Sequence, residues 1–162
     1  MPRSPRILIV GPTTPLANLL VTWLAPVPYE IVAVSQFAAA RVHVDMEPDL
    51  LITEVKLHDH NGLHLALRAR AKSVPAVVIG DPDPVLERDA REFGATYLHV
   101  TDLHRDEFLQ MVDRLIASGA TTGPRHHLAW LDSPPTSGDR HHGALDVETV
   151  GFDESAGRPL LH

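Results

Sequence analysis

Apolar positions along the chain follow two alternating patterns. Short unbroken apolar runs, stopped by Gly, Pro or a polar cluster, alternate with stretches whose apolar residues recur every three or four positions. The first pattern predicts strands buried on both faces; the second predicts helices that bury one stripe. Residues 7–10 form the first run, closed by Gly11-Pro12. Thr14-Pro15 reads as an N-cap and a first-turn proline. Leu16, Leu19, Leu20, Trp23 and Leu24 follow at helical spacing, up to Pro26 and Pro28. Ile31, Val32 and Val34 predict a second strand, residues 37–45 a second helix closed before Pro48, and residues 50–55 a third strand. Asn61-Gly62 opens a third helix with Leu63, Leu65, Ala66 and Leu67. A fourth strand at 76–79 stops at Gly80. Asp81-Pro82-Asp83-Pro84 starts a fourth helix with acids at its positive end, and Phe93-Gly94 closes it. Residues 97–100 predict a fifth strand and 106–117 a fifth helix.

Strands and helices that alternate through short connections give a parallel sheet covered on both faces. Such sheets place ligands beyond the carboxyl ends of their strands. The segments to interrogate are therefore 11–14, 54–61, 80–83 and 100–102.

After Ser118 the pattern stops. Gly, Pro, Ser, Thr and His make up half of residues 119–162, and acids outnumber arginines there. The chain divides into a domain at 5–118 and a flexible, acidic, His/Pro/Gly-rich tail at 119–162. Within the tail, residues 128–131, with Trp130, could dock on a partner or on the domain itself.

Composition narrows the function further. The 162 residues are 44% apolar and 22% charged, as in soluble globular chains. Cysteine is absent, so disulfides and thiolate chemistry are excluded. The net charge of −7, without a basic arm, argues against nucleic acid. No apolar run approaches the ~18 residues of a membrane span, and the N-terminal run is too short for a signal peptide. The expectation is a cytoplasmic protein. No Ser-His-Asp order, P-loop or dinucleotide glycine pattern is present.

Over about residues 6–116 the chain resembles a response-regulator receiver domain, the CheY-like family. RILIVGPTTPLANLL is similar to that family's first strand and helix, and PDLLITEVKLHDHNGL to the segment around its phosphoacceptor. VPAVVIG resembles the fourth strand, and REFGATYLHVTDLHRDEFLQMV the last helix, strand and helix. The resemblance implies a flavodoxin-like α/β three-layer sandwich, with a five-stranded parallel sheet of order 2-1-3-4-5 and five helices. It also implies a site of two Mg²⁺-binding acids after the first strand, a phosphoacceptor Asp ending the third, a Thr or Ser ending the fourth and a Lys ending the fifth.

This chain departs from that site at every position. Gly11 and Pro12 stand where the acids belong, and Glu54 stands at the phosphoacceptor position. Gly80 takes the hydroxyl position. Thr101 takes the lysine position without a gap, Val100 with one. Lys56, two residues beyond Glu54, is the nearest stand-in cation. Phosphoryl transfer needs Mg²⁺ or cations on the transferring oxygens. An acyl phosphate here would face Glu54, Asp59 and Asp81 instead. The expectation is a stand-alone pseudo-receiver in two-component signalling that binds partners, with no enzymatic activity, cofactor or bound metal of its own. Its partner would be a histidine kinase, a phosphotransfer protein or an effector, with a homodimer left open. In the family the face of the fourth helix, fifth strand and fifth helix commonly meets partners. Arg88, Arg91, His104, Arg105 and Phe108 are the candidates on it.

Other readings stay open. Glu54 could mimic a phosphorylated aspartate, or it or Asp59 could be phosphorylated through unusual geometry. His58, Asp59, His60 and His64 could bind a divalent metal, giving a small hydrolase or sensor on the same scaffold, though their spacing is no recognised motif. Thr13 and Thr14 could hold an anion, and the pairs His126-His127 and His141-His142 a metal.

Overall fold

The computed structural model describes residues 3–11 and 15–121, all within the compact unit Met1–Arg125. Pro12, Thr13, Thr14, His126, His127, Trp130, His141 and His142 lie outside the described residues. The chain runs β1 (Arg6–Val10), α1 (Pro15–Leu24), β2 (Glu30–Val34), α2 (Phe37–Asp45), β3 (Leu50–Glu54), β4 (Lys56–Leu57), β5 (His60–Asn61), α3 (Leu63–Ala71), β6 (Ala76–Gly80), α4 (Pro84–Glu92), β7 (Thr96–His99), a 3-10 turn (Val100–Asp102) and α5 (Arg105–Thr121).

The five long strands form one parallel sheet of order β2-β1-β3-β6-β7. In terms of those five strands this is the expected order 2-1-3-4-5. Successive side chains of a strand point to opposite faces, and this sheet buries both. Ile7, Ile9, Leu50, Ile52, Val77 and Ile79 pack with Leu20 and Leu24 of α1 and Phe108 and Val112 of α5. The alternate residues Leu8, Val10, Leu51 and Val78 pack against α2, α3 and α4 through Ala40, Val44, Leu65, Ala66 and Ala90. Each fully buried aliphatic side chain contributes about 1.5–3 kcal/mol relative to exposure. The central strands therefore carry most of the stabilisation and hold their carboxyl ends in fixed register.

Polar ties fix the helices around that core. Asp83 caps α4 by accepting from the backbone N–H groups of Val85 and Leu86 at 2.9 and 3.2 Å, with Pro84 in the first turn. Gly94, at φ +73°, ends α4, and Ala95 N donates back to Ala90 O at 2.9 Å. Ser73 does the same after α3 at φ 56°, with Val74 N donating to Ala69 O at 2.9 Å. Arg68 of α3 grips Asp45 at the end of α2 in a two-pronged ion pair, 2.9 and 2.6 Å, which pulls the Asp45 carboxyl below its usual range. Tyr29 donates its hydroxyl to Asp113 of α5. Burial first, then that carboxylate, pushes its phenol up to about 12.

Several features differ from the sequence expectations. β3 ends at Glu54, not Val55. The expected loop at 56–61 holds a two-stranded hairpin, Lys56 and Leu57 against Asn61 and His60, turned by His58 at φ 52°. Val100 has left the fifth strand for the 3-10 turn. α5 continues to Thr121, past the expected boundary at 118, because nothing in 118–121 is as strong a breaker as proline. Phe108, expected on the partner face, is instead 3% exposed and packs against Trp23 of α1, ring centroids 5.8 Å apart. It belongs to the core stripe with Val112, one helical turn on.

Candidate functional site

β1, β3, β6 and β7 end side by side at the carboxyl edge of the sheet. Beyond the last three lies a cleft of about 260 Å³. Leu16, Val55, Ile79, Leu86, Tyr97 and Val100 give it apolar walls, and Glu54, Lys56, Asp81 and Asp83 supply its charges.

The register places Val10 beside Thr53, so Gly11, the first residue past β1, comes level with Glu54, the last residue of β3. A Cβ on Gly11 would stand 2.5 Å from Glu54 Oε1. The Glu54 carboxylate thus fills the space that a side chain at 11 would use. The same exchange recurs at the fourth strand end. A Cβ on Gly80 would collide with the Tyr97 hydroxyl and stand 2.7 Å from Val55 Cγ2. Tyr97 lies across that strand end and donates to the Asp81 carbonyl at 2.7 Å. Burial, then the negative field of Asp83, Glu87 and Asp81, raises its phenol above the ordinary value. Two positions lacking side chains are therefore filled by neighbours, one by a longer acid and one by an aromatic ring.

At the fifth strand end, Val100 lines the cleft and Thr101 does not. Thr101 is exposed and donates to Asp102 at 3.2 Å. Of the two residues offered for the lysine position, Val100, the gapped one, is thus the one on the cleft, and it presents an aliphatic side chain there. Lys56 lines the rim and pairs with Asp81 at 3.4 Å, its side chain 85% exposed. An ion pair so open to water is worth about 0–1 kcal/mol. Asp59 is absent from the lining and exposed in the hairpin turn, so the expectation that it faces the pocket is corrected.

The histidine cluster does not converge. His60 stacks on Phe37, ring centroids 4.4 Å apart and planes 13° from parallel. His58 sits in the hairpin turn, and His64 is exposed in the first turn of α3. Among the described residues no three His, Asp or Glu side chains form a group able to hold a metal ion.

Two features escaped the sequence reading. Gly62 is pressed onto the end of β3: its N–H donates to Val55 O at 2.8 Å, and a Cβ there would strike the Glu54 carbonyl. The start of α3 is thus seated on the strand end that carries Glu54. The second feature is His99, the last residue of β7. Its Nε2 lies 2.7 Å from Glu87 of α4 and its Nδ1 3.2 Å from Asp102. The bond to Glu87, and then that to Asp102, raises its pKa above the ordinary 6.5. Two carboxylates on opposite sides of one ring clasp β7 to α4 and to the turn before α5. Arg88 and Arg91 of α4, His104, and Arg105 of α5 are exposed. Arg88 reaches Asp89 at 3.5 Å, and Arg105 reaches Asp106 at 3.6 Å.

No family model and no curated protein sequence matches the chain. Solved structures do. A CheY-like response regulator receiver domain protein from Methanospirillum hungatei is 18% identical, with a TM-score of 0.68 over 75% of this chain and 100% of its own. The signal receiver domain of an HD domain-containing protein from Pseudomonas fluorescens is 24% identical, with a TM-score of 0.66 over 75% and 93%. The chemotaxis protein CheY4 of Vibrio cholerae is 17% identical, with a TM-score of 0.61 over 70% and 99%. The described domain has the CheY-like, flavodoxin-like fold of response-regulator receiver domains.

Proposed function

We propose that the chain is a pseudo-receiver: a protein-interaction module of two-component signalling that performs no Mg²⁺-dependent phosphotransfer. The observation that carries this reading is the filling of the strand ends by their own neighbours, Glu54 into the space at Gly11 and Tyr97 over Gly80. A phosphoryl group on the acid ending β3 needs room and positive charge around its oxygens. Here the Glu54 carboxylate itself takes the space at Gly11 where the metal-binding acids would stand, the residue after the fifth strand is Val100, and Lys56 is held at the solvent-exposed rim by Asp81. With chemistry disfavoured, the side formed by α4, β7 and α5 is left as the working surface, and its partners are signalling proteins: a kinase, a phosphotransfer protein or an effector.

The test is intact-mass spectrometry after incubation with acetyl phosphate and Mg²⁺. The expected spectrum is that of the untreated chain. A phosphate adduct lost on Glu54→Gln substitution would overturn the reading and establish a working acceptor.

A further inference from the structure

The cleft beyond β3, β6 and β7 combines an apolar floor with a ring of carboxylates. Leu16, Ile79, Leu86, Tyr97 and Val100 line the floor, and Val100 is 38% exposed at its mouth. Val85, in the first turn of α4, is 55% exposed. Glu54, Asp81 and Asp83 stand in the wall, and Glu87 and Asp102 bond to His99, the chain neighbour of Val100. Among the described residues, Lys56 pairs with Asp81, and His99 pairs with Glu87 and Asp102. At about 260 Å³ the cleft is smaller than the ~300–1,000 Å³ pockets that enclose drug-sized ligands. It suits one or two side chains of a larger partner. An apolar centre inside a charged rim is also the anatomy of a protein interface.

Charge complementarity decides the kind of partner. A phosphate or an acidic segment would meet the same carboxylates and be repelled. We propose that this cleft docks a segment of a protein partner that carries aliphatic side chains flanked by arginine or lysine. The aliphatic group covers Leu86, Tyr97 and Val100, and the cations meet the carboxylate rim. The proposal rests on the interaction-module reading above and names the chemistry of the partner at that site.

The test is an amide NMR titration of the labelled full chain with three probes: a capped peptide alternating leucine and arginine, its leucine–glutamate counterpart, and spermidine. The arginine peptide is expected to shift the amides of Gly80, Asp81, Leu86, Tyr97 and Val100 saturably. The other two probes are expected to leave them unchanged. Val100→Lys places an ammonium over the floor at an exposed position and should weaken the arginine peptide by about tenfold or more, as a like charge at an interface centre does. The proposal is overturned if the glutamate peptide moves the same amides. It is equally overturned if spermidine matches the arginine peptide, if Val100→Lys binds as well as the parent, or if no saturable shift occurs. A phosphate adduct in the mass experiment would overturn the pseudo-receiver reading and leave this titration outcome separate.

Discussion

Glu54 and Gly11 occupy one volume between them, and so do Tyr97 and Gly80. Residues that share a volume are coupled, and their substitutions do not add. Gly11→Asp alone drives a carboxylate toward Glu54 Oε1 and should destabilise the domain by roughly 1–3 kcal/mol, the usual cost of overpacking. Glu54→Asp withdraws the competing carboxylate by one methylene. The double variant should therefore be more stable than the sum of the two single effects, by more than the ~0.5 kcal/mol within which independent sites add. Urea unfolding of the four proteins in the cycle gives the coupling directly; strict additivity would mean that the two side chains do not compete. None of this is legible in the sequence. It shows that Gly11 and Gly80 lack the oxygens the family's chemistry uses. It cannot show which neighbours take up the space, because that depends on β1, β3, β6 and β7 ending in register.

At the scale of elements the sequence is far more legible. α2 is readable to its ends because Pro48 and the polar residues before Phe37 bracket an apolar stripe. The long strands are readable because parallel strands buried on both sides appear as solid apolar runs. The hairpin of β4 and β5 leaves no such trace. Its strands are two residues long, and their outward partners are polar. Phe108 shows that membership of an element does not settle which way a residue faces; phase does. Its spacing to Val112 puts it on the core side of α5. The closing turns can be tested at this scale. Ser73 holds a left-handed conformation at φ 56°, where Gly94 does the same work after α4. A left-handed residue other than glycine costs about 1–2 kcal/mol, and a glycine gives back about 0.5–1 kcal/mol in the unfolded chain. Ser73→Gly should thus stabilise the domain by roughly 0.5–1 kcal/mol. A thermal midpoint unchanged or lowered by this substitution would show that the Ser73 side chain contributes more than its backbone costs.

For the whole molecule, pH is the lever that reaches furthest. His99 joins the last strand of the sheet to α4 and to the turn before α5, and both of its ring nitrogens face carboxylates. Its raised pKa means that the folded state binds the proton more tightly than the unfolded chain. The stability this adds is fully present below the ordinary value of 6.5 and is lost as pH rises through the higher folded value. The difference in thermal midpoint between the parent and His99→Gln should accordingly be largest in mildly acidic buffer and shrink as pH rises through the folded-state pKa. A difference independent of pH would assign His99 a packing role alone. The net charge of −7 adds a second whole-molecule effect: association with basic partners should slow as salt is raised.

The shared volume at Gly11 and Glu54 also constrains the order in which this sequence can change. A chain that exchanges the acid at 54 for the shorter one first opens a gap, which costs little beside a strand end in contact with water. A chain that acquires an acid at 11 first passes through a crowded, like-charged intermediate. Laboratory evolution towards a metal-binding site on this scaffold should therefore collect the change at 54 before the change at 11, and the reverse lineage should be lost early.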